Sequence, residues 1–121
     1  MQPIAMLIHV QDIKAGLDWY TKAFPLARIK CLPDSDFKVL DIDGFQLEIV
    51  QADEKVGAGK CGTVLYWQVK NLTQSLQHLM AIGAVLYRGP LDIEDQLSMC
   101  QVADPFGNLI GLRGPRIEPS K

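Results

Sequence analysis

The chain has only two histidines, His9 and His78, and its three cysteines, Cys31, Cys61 and Cys100, are odd in number and never fall at C-x-x-C spacing. That pattern reads as reduced thiols in a cytoplasmic protein rather than as a disulfide framework. None of the three has a sequence-local activating partner, so no cysteine nucleophile is indicated. A basic stripe is also missing: 12 Lys and Arg stand scattered against 14 Asp and Glu, for a net charge of −2. Nucleic acid is thereby excluded as an expected partner, because phosphate binding needs clustered cations. No stretch approaches the roughly 18 apolar residues of a membrane span. Met1-Gln2-Pro3 leads into a strand-like run without a basic segment or small-residue cleavage site, so no secretory leader is expected. A phosphate cradle is lacking too, since Gly57-Ala58-Gly59-Lys60 does not have G-x-x-x-x-G-K-[ST] spacing.

What is present describes one globular domain: 121 residues, 48% hydrophobic and 21% charged. Within it, the chain says the same thing twice. Ile8-His9-Val10-Gln11-Asp12-Ile13 and its following helix pattern are echoed by Trp67-Gln68-Val69-Lys70-Asn71-Leu72. At an offset of 59 positions, Val10 falls on Val69, Ile13 on Leu72, Leu17 on Leu76 and Tyr20 on Leu79. A repeat this short cannot bury its own apolar face. Two copies are therefore expected to share one sheet and one core, with a cleft between the halves.

Each copy reads β-α-β-β-β. The first has strands at 4–10, 26–30, 37–42 and 45–50, the last two joined by the hairpin signal Asp43-Gly44. Asp12 caps its helix, which carries Ile13, Leu17, Tyr20 and Phe24 as the apolar stripe and ends at Pro25. After a Gly-rich linker, strands are predicted at 63–69, 85–88, 97–102 and 108–113, with a helix over 72–82 capped by Asn71 and ended by Gly83. Asp104-Pro105-Phe106-Gly107 is a turn in which Asp accepts from backbone, Pro presets φ and Gly permits a positive one. Residues 90–95 read as an acidic loop, as does the segment with Asp34 and Asp36; an acidic rim favours cationic ligands by steering. Residues 115–121 read as a frayed tail.

Alternation then sorts the strand residues. Ala5, Leu7 and His9 face away from the first helix, as do Gln46, Glu48 and Val50. Val64, Tyr66 and Gln68 do the same in the second copy, with Leu109, Gly111 and Arg113. Trp67 falls on the helix side and reads as core, whereas Trp19 reads as core or dimer contact.

A duplicated β-α-β-β-β module ending Asp104-Pro105-Phe106-Gly107-Asn108-Leu109-Ile110 resembles the vicinal oxygen chelate superfamily. That group holds glyoxalase I, bleomycin- and fosfomycin-resistance proteins and extradiol dioxygenases. Trp19-Tyr20 followed by Phe24-Pro25-Leu26 supports the likeness, which runs from Ile4 to Gly114. It implies an α+β fold: two tandem modules, about 3–51 and 63–114 around a linker at 52–62, forming a curved, cup-shaped mixed sheet with helices outside. It also implies a homodimer. Metal-dependent members place one ligand on each of the first, fourth, fifth and eighth strands. Those places fall on Ala5, Glu48, Val64 and Gly111, of which only Glu48 has a donor atom. One carboxylate plus water gives a cation little affinity or selectivity.

The expected site is thus metal-free and without a cofactor: Leu7, His9, Glu48, Val50, Val64, Tyr66, Gln68, Leu109 and Arg113, an apolar pocket with separated polar groups. Tyr66 offers a ring for stacking on a planar ligand. Glu48 needs a partner, with Arg113 first and His9 second in line, in a pair that is either structural or ligand-orienting. The reading is a metal-independent small-molecule-binding protein of the bleomycin-resistance type that sequesters a drug or metabolite. The alternatives are a lyase, isomerase or dioxygenase with a displaced His9/Glu48 metal site, an enzyme using Glu48 as general base, and an assembly partner with a vestigial cleft.

Overall fold

Alternation of side-chain direction builds the first strand. In the computed structural model, which describes residues 1–33 and 37–116, β1 (Ala5–Val10) buries Ile8 and Val10 and leaves Leu7 51% exposed. Asp12 then starts α1 (Ile13–Ala23): its carboxylate accepts the Ala15 N–H at 3.1 Å, satisfying one of the donors a helix start leaves unpaired. β2 (Arg28–Cys31), β3 (Lys38–Ile42) and β4 (Phe45–Gln51) follow. The sheet order is β1-β4-β3-β2, with β1 and β4 parallel and the other neighbours antiparallel. Asp43 (φ 50°) and Gly44 (φ 90°) supply the two left-handed residues that the tight β3–β4 hairpin requires.

The same series recurs in the second half. β5 (Tyr66–Gln68) leads to α2 (Leu72–Ala81), whose cap Asn71 accepts the Gln74 N–H at 3.0 Å, 59 positions after Asp12. β6 (Val85–Ile93), β7 (Leu97–Ala103) and β8 (Leu109–Pro115) complete a sheet of order β5-β8-β7-β6, in which β5 and β8 are parallel. The fold is α+β, with two four-stranded mixed sheets, one in each of two compact units, Met1–Ala58 and Gly59 onward. The first core gathers Val10, Tyr20, Leu40, Leu47 and Ile49; the second gathers Leu72, Leu79, Cys100, Val102 and Leu112.

Several elements differ from expectation for local reasons. The buried stripe of α1 is Gly16, Trp19, Tyr20 and Ala23, while Ile13 is exposed. A Cβ on Gly16 would lie 2.8 Å from Ile49 Cγ2, so the helix settles on its smallest residue, which a count of large apolar positions overlooks. Trp19 belongs to this core, edge-on to Tyr20 with ring centroids 4.9 Å apart. β2 starts at Arg28 rather than Leu26, because a turn closed by Ala27 N–H on the Phe24 carbonyl comes first. β5 is trimmed to three residues, flanked by bonds from Gly111 N–H to the Leu65 carbonyl and from Val69 N–H to the Arg113 carbonyl.

Most of the segment 90–95 is strand rather than loop, and only Glu94 and Asp95 lie in the β6–β7 turn. β6 runs through Gly89 and Pro90 to Ile93, with register shifts between Leu86 and Leu91. An edge strand tolerates proline at such an irregularity because its missing N–H costs no ladder bond. Nor does the tail begin at Pro115, which ends β8; Arg116 N–H donates to the Gln96 carbonyl, and its guanidinium donates to the carbonyls of Ile93 and Leu97. Asp34, Asp36 and the remainder of that tail lie outside the described residues. Among the described residues, no helix is long and apolar enough to cross a membrane.

Candidate functional site

In the first unit, the parallel register of β1 and β4 sets Ala5 beside Gln46, Leu7 beside Glu48 and His9 beside Val50. All six occupy the sheet face opposite Ile8, Val10, Leu47 and Ile49, which pack under α1. Leu7 is thus the in-register neighbour of the Glu48 carboxylate. His9 sits one step further along, where its imidazole acts electrostatically on Asp53, just beyond the end of β4. The Asp53 carboxylate accepts the N–H groups of Val56 and Lys55, each at 2.8 Å. Those bonds, aided by His9 and only weakly opposed by burial, hold its carboxyl below the usual value of 3.8. Asp53 was hidden in the sequence because it falls in the linker-like segment, past the last strand residue.

The second unit carries a more constructed surface. Register pairs Tyr66 with Gly111 and Gln68 with Arg113, and on the far side Gln101 with Gly111 and Met99 with Arg113. Tyr66 does not stand up from this face: its ring lies across β8. A Cβ built on Gly111 would meet the Tyr66 ring carbons at 2.7 Å, so only glycine leaves the ring its place. The ring is held at its hydroxyl and over its face. Gln101 Nε2 donates to the Tyr66 hydroxyl at 2.6 Å, and the Arg113 guanidinium carbon sits 4.8 Å from the ring centroid in a cation–π contact. Leu109 is buried at the start of β8, Val64 is half-buried just before β5, and Gln68 and Arg113 are exposed. Gln101 was within reach of strand parity on β7. The flattening of Tyr66 onto Gly111 was not, because it depends on which residues pair across strands.

The signature turn has a structural task. Buried Asp104 accepts the N–H of Phe106 at 2.8 Å and of Asn108 at 2.9 Å, while its own N–H donates to the Asn108 carbonyl. Asn108 Oδ1 in turn accepts the Gly59 N–H at 3.1 Å. The Asp104 bonds organise the β7–β8 connection, the Asn108 bond ties it to the segment ahead of β5, and none of them presents a reactive group. The cysteines are free thiols: Cys31 and Cys61 are exposed, and burial pushes the Cys100 thiol up from its usual value.

The metal that this type of fold implies does not fit the residues present. Ala5, Val64 and Gly111 carry no donor atom, and the ground above Gly111 is taken by the Tyr66 ring. Among the described residues, no group of three or more His, Cys, Asp or Glu is placed to hold a metal ion.

Element order, strand order and size give the chain the fold of the vicinal oxygen chelate proteins. No protein-family model and no curated protein matches the sequence. Solved structures match its fold. A glyoxalase/bleomycin resistance protein/dioxygenase family enzyme from Burkholderia phytofirmans superposes with a TM-score of 0.74 at 17% identity, covering 93% of this chain and 98% of that one. A protein from the mobile metagenome of V. Pseudocholerae gives 0.74 at 18% identity, covering 97% and 96%. TioX from a Micromonospora species gives 0.70 at 16% identity, covering 96% and 100%.

Proposed function

We propose that this protein is a metal-independent small-molecule-binding protein of the glyoxalase/bleomycin-resistance type, sequestering a drug or metabolite. The observation that carries the reading is the Tyr66 ring lying on Gly111. At the eighth-strand position where metal-dependent relatives keep a ligand, this chain has a glycine, and an aromatic side chain fills the space a ligand side chain would need. An aromatic surface with few polar groups is the chemistry of a small-molecule site rather than of cation coordination. In this reading the protein acts as a cytoplasmic homodimer whose exposed thiols, Cys31 and Cys61, stay reduced.

Metal analysis of protein purified without chelators tests it, together with a thermal-shift screen of divalent ions, aromatic metabolites and bleomycin-type drugs. Substoichiometric metal and no melting shift with ions are expected. A bound organic ligand raises the melting temperature, because it binds only the folded state. Stoichiometric zinc, nickel, manganese or iron overturns the reading.

A further inference from the structure

Beside Tyr66 the second unit has a hollow of about 370 Å³, bordered by Tyr66, Trp67, Gln68, Leu97, Arg113 and Pro115. That volume lies in the range of small-ligand sites. Its wall is apolar and aromatic except for one amide, Gln68, and one formal charge, the Arg113 guanidinium. The acid at the end of β6 is engaged elsewhere. Asp92 is turned to the helix side, where it accepts from Ser98 Oγ at 2.7 Å. The nearby cation Arg116 is engaged on the carbonyls of Ile93 and Leu97. Among the described residues of this unit, no carboxylate or carbonyl accepts a hydrogen bond from Arg113.

We propose that this hollow binds a planar aromatic monocarboxylate, with the carboxylate on Arg113 and the ring against the Tyr66 and Leu97 side of the wall. The inference rests on the small-molecule-binding reading and narrows it to one ligand class. A guanidinium stacked on an arene contributes its flat face to that contact and keeps its in-plane N–H groups free, in a fork that matches a carboxylate. Tyr66 is itself immobilised by Gly111 beneath and Gln101 at its hydroxyl, so the fork is ordered before the ligand arrives and less entropy is lost on binding. One cation in an apolar wall selects a single negative charge with a greasy body. Polyanions and cations are both disfavoured, the latter against the expectation drawn from acidic loops.

Three probes of one shape test this by calorimetry on the full chain: 2-naphthoate, 2-naphthylmethanol and 2-naphthylmethylammonium. Naphthoate is expected to bind at least about tenfold more tightly than the alcohol, a difference of about 1.4 kcal/mol, with no measurable heat from the ammonium. Arg113→Gln should remove the preference of acid over alcohol while lowering the melting temperature by no more than a few degrees, about what one exposed cation–π contact contributes. Arg113→Lys, which keeps charge but loses the fork, should still cost naphthoate several-fold. Equal binding of all three probes, preference for the ammonium, or indifference to Arg113→Gln overturns the ligand class while leaving small-molecule binding standing. If none of the probes binds, the ligand class also falls, and the metal and drug screen above separately decides the broader reading.

Discussion

At equivalent register positions the two units carry different chemistry. The first pairs Leu7 with Glu48, an apolar side chain beside an acid; the second pairs Tyr66 with Gly111, an aromatic ring laid over an empty position. One step along, His9 beside Val50 corresponds to Gln68 beside Arg113. Both units share element order, a parallel first-to-last strand pair and an Asx-type helix cap. Duplication therefore preserved the groups that satisfy the backbone. The face turned away from the helix diverged, because its side chains do not decide whether the sheet forms. The charges differ in sign and in place: the acid Glu48 stands where the second unit has Gly111, and the stacked cation Arg113 where the first has Val50.

The sharpest way to break this comparison is at the turns that connect the last two strands of each unit. Asp104→Ala removes an acceptor of two N–H groups from a buried site and should cost about 2–3 kcal/mol in urea unfolding. Asp43→Gly in the β3–β4 hairpin only relaxes a positive φ and should change stability by less than about 1 kcal/mol. Equal effects would mean that the two connections are not the unlike devices they look to be.

Next in size is the register pair itself. Gly111→Ala should destabilise by about 1–3 kcal/mol through the clash with the Tyr66 ring, whereas Glu48→Ala should stay within about 0.5 kcal/mol. In a Tyr66→Ala background the Gly111→Ala penalty should largely vanish, and a double-mutant cycle reads that coupling directly. Additivity would show that the ring does not rest on the glycine.

The smallest effect is on the thiols. Cys31 and Cys61 should react rapidly with a disulfide reagent, and Cys100, on the buried side of β7, only on unfolding. Burial raises the folded-state value of Cys100, so its contribution to stability is intact below the ordinary thiol value of 9.0 and declines as pH rises past it. Melting curves taken from neutral to alkaline pH should show a shallower alkaline decline in Cys100→Ala than in the native chain.

Much of the fold was legible because repetition and punctuation are local. Asp12 and Asn71 announce helix starts, Asp43-Gly44 a hairpin, and Asp104 to Asn108 a turn, and each does so through bonds reaching only a few residues. Strand parity also sorted Leu7, Glu48, Tyr66 and Arg113 onto the faces where they are found. The misreadings cluster where a distant partner sets the outcome. Gly16 became the contact point of α1 because Ile49 comes so close, and β6 outran its Gly-Pro pair because β7 offered a ladder to pair with.

The sequence by itself determined the modular order, the caps and turns, and the absence of donors at Ala5, Val64 and Gly111, since residue identity and short-range hydrogen bonding suffice for these. Tertiary structure alone decided that Tyr66 lies flat on Gly111, that Gln101 holds its hydroxyl and that Arg113 stacks on its ring. Those contacts join residues 35 or more positions apart in the chain, and only the register of β5, β7 and β8 brings them together.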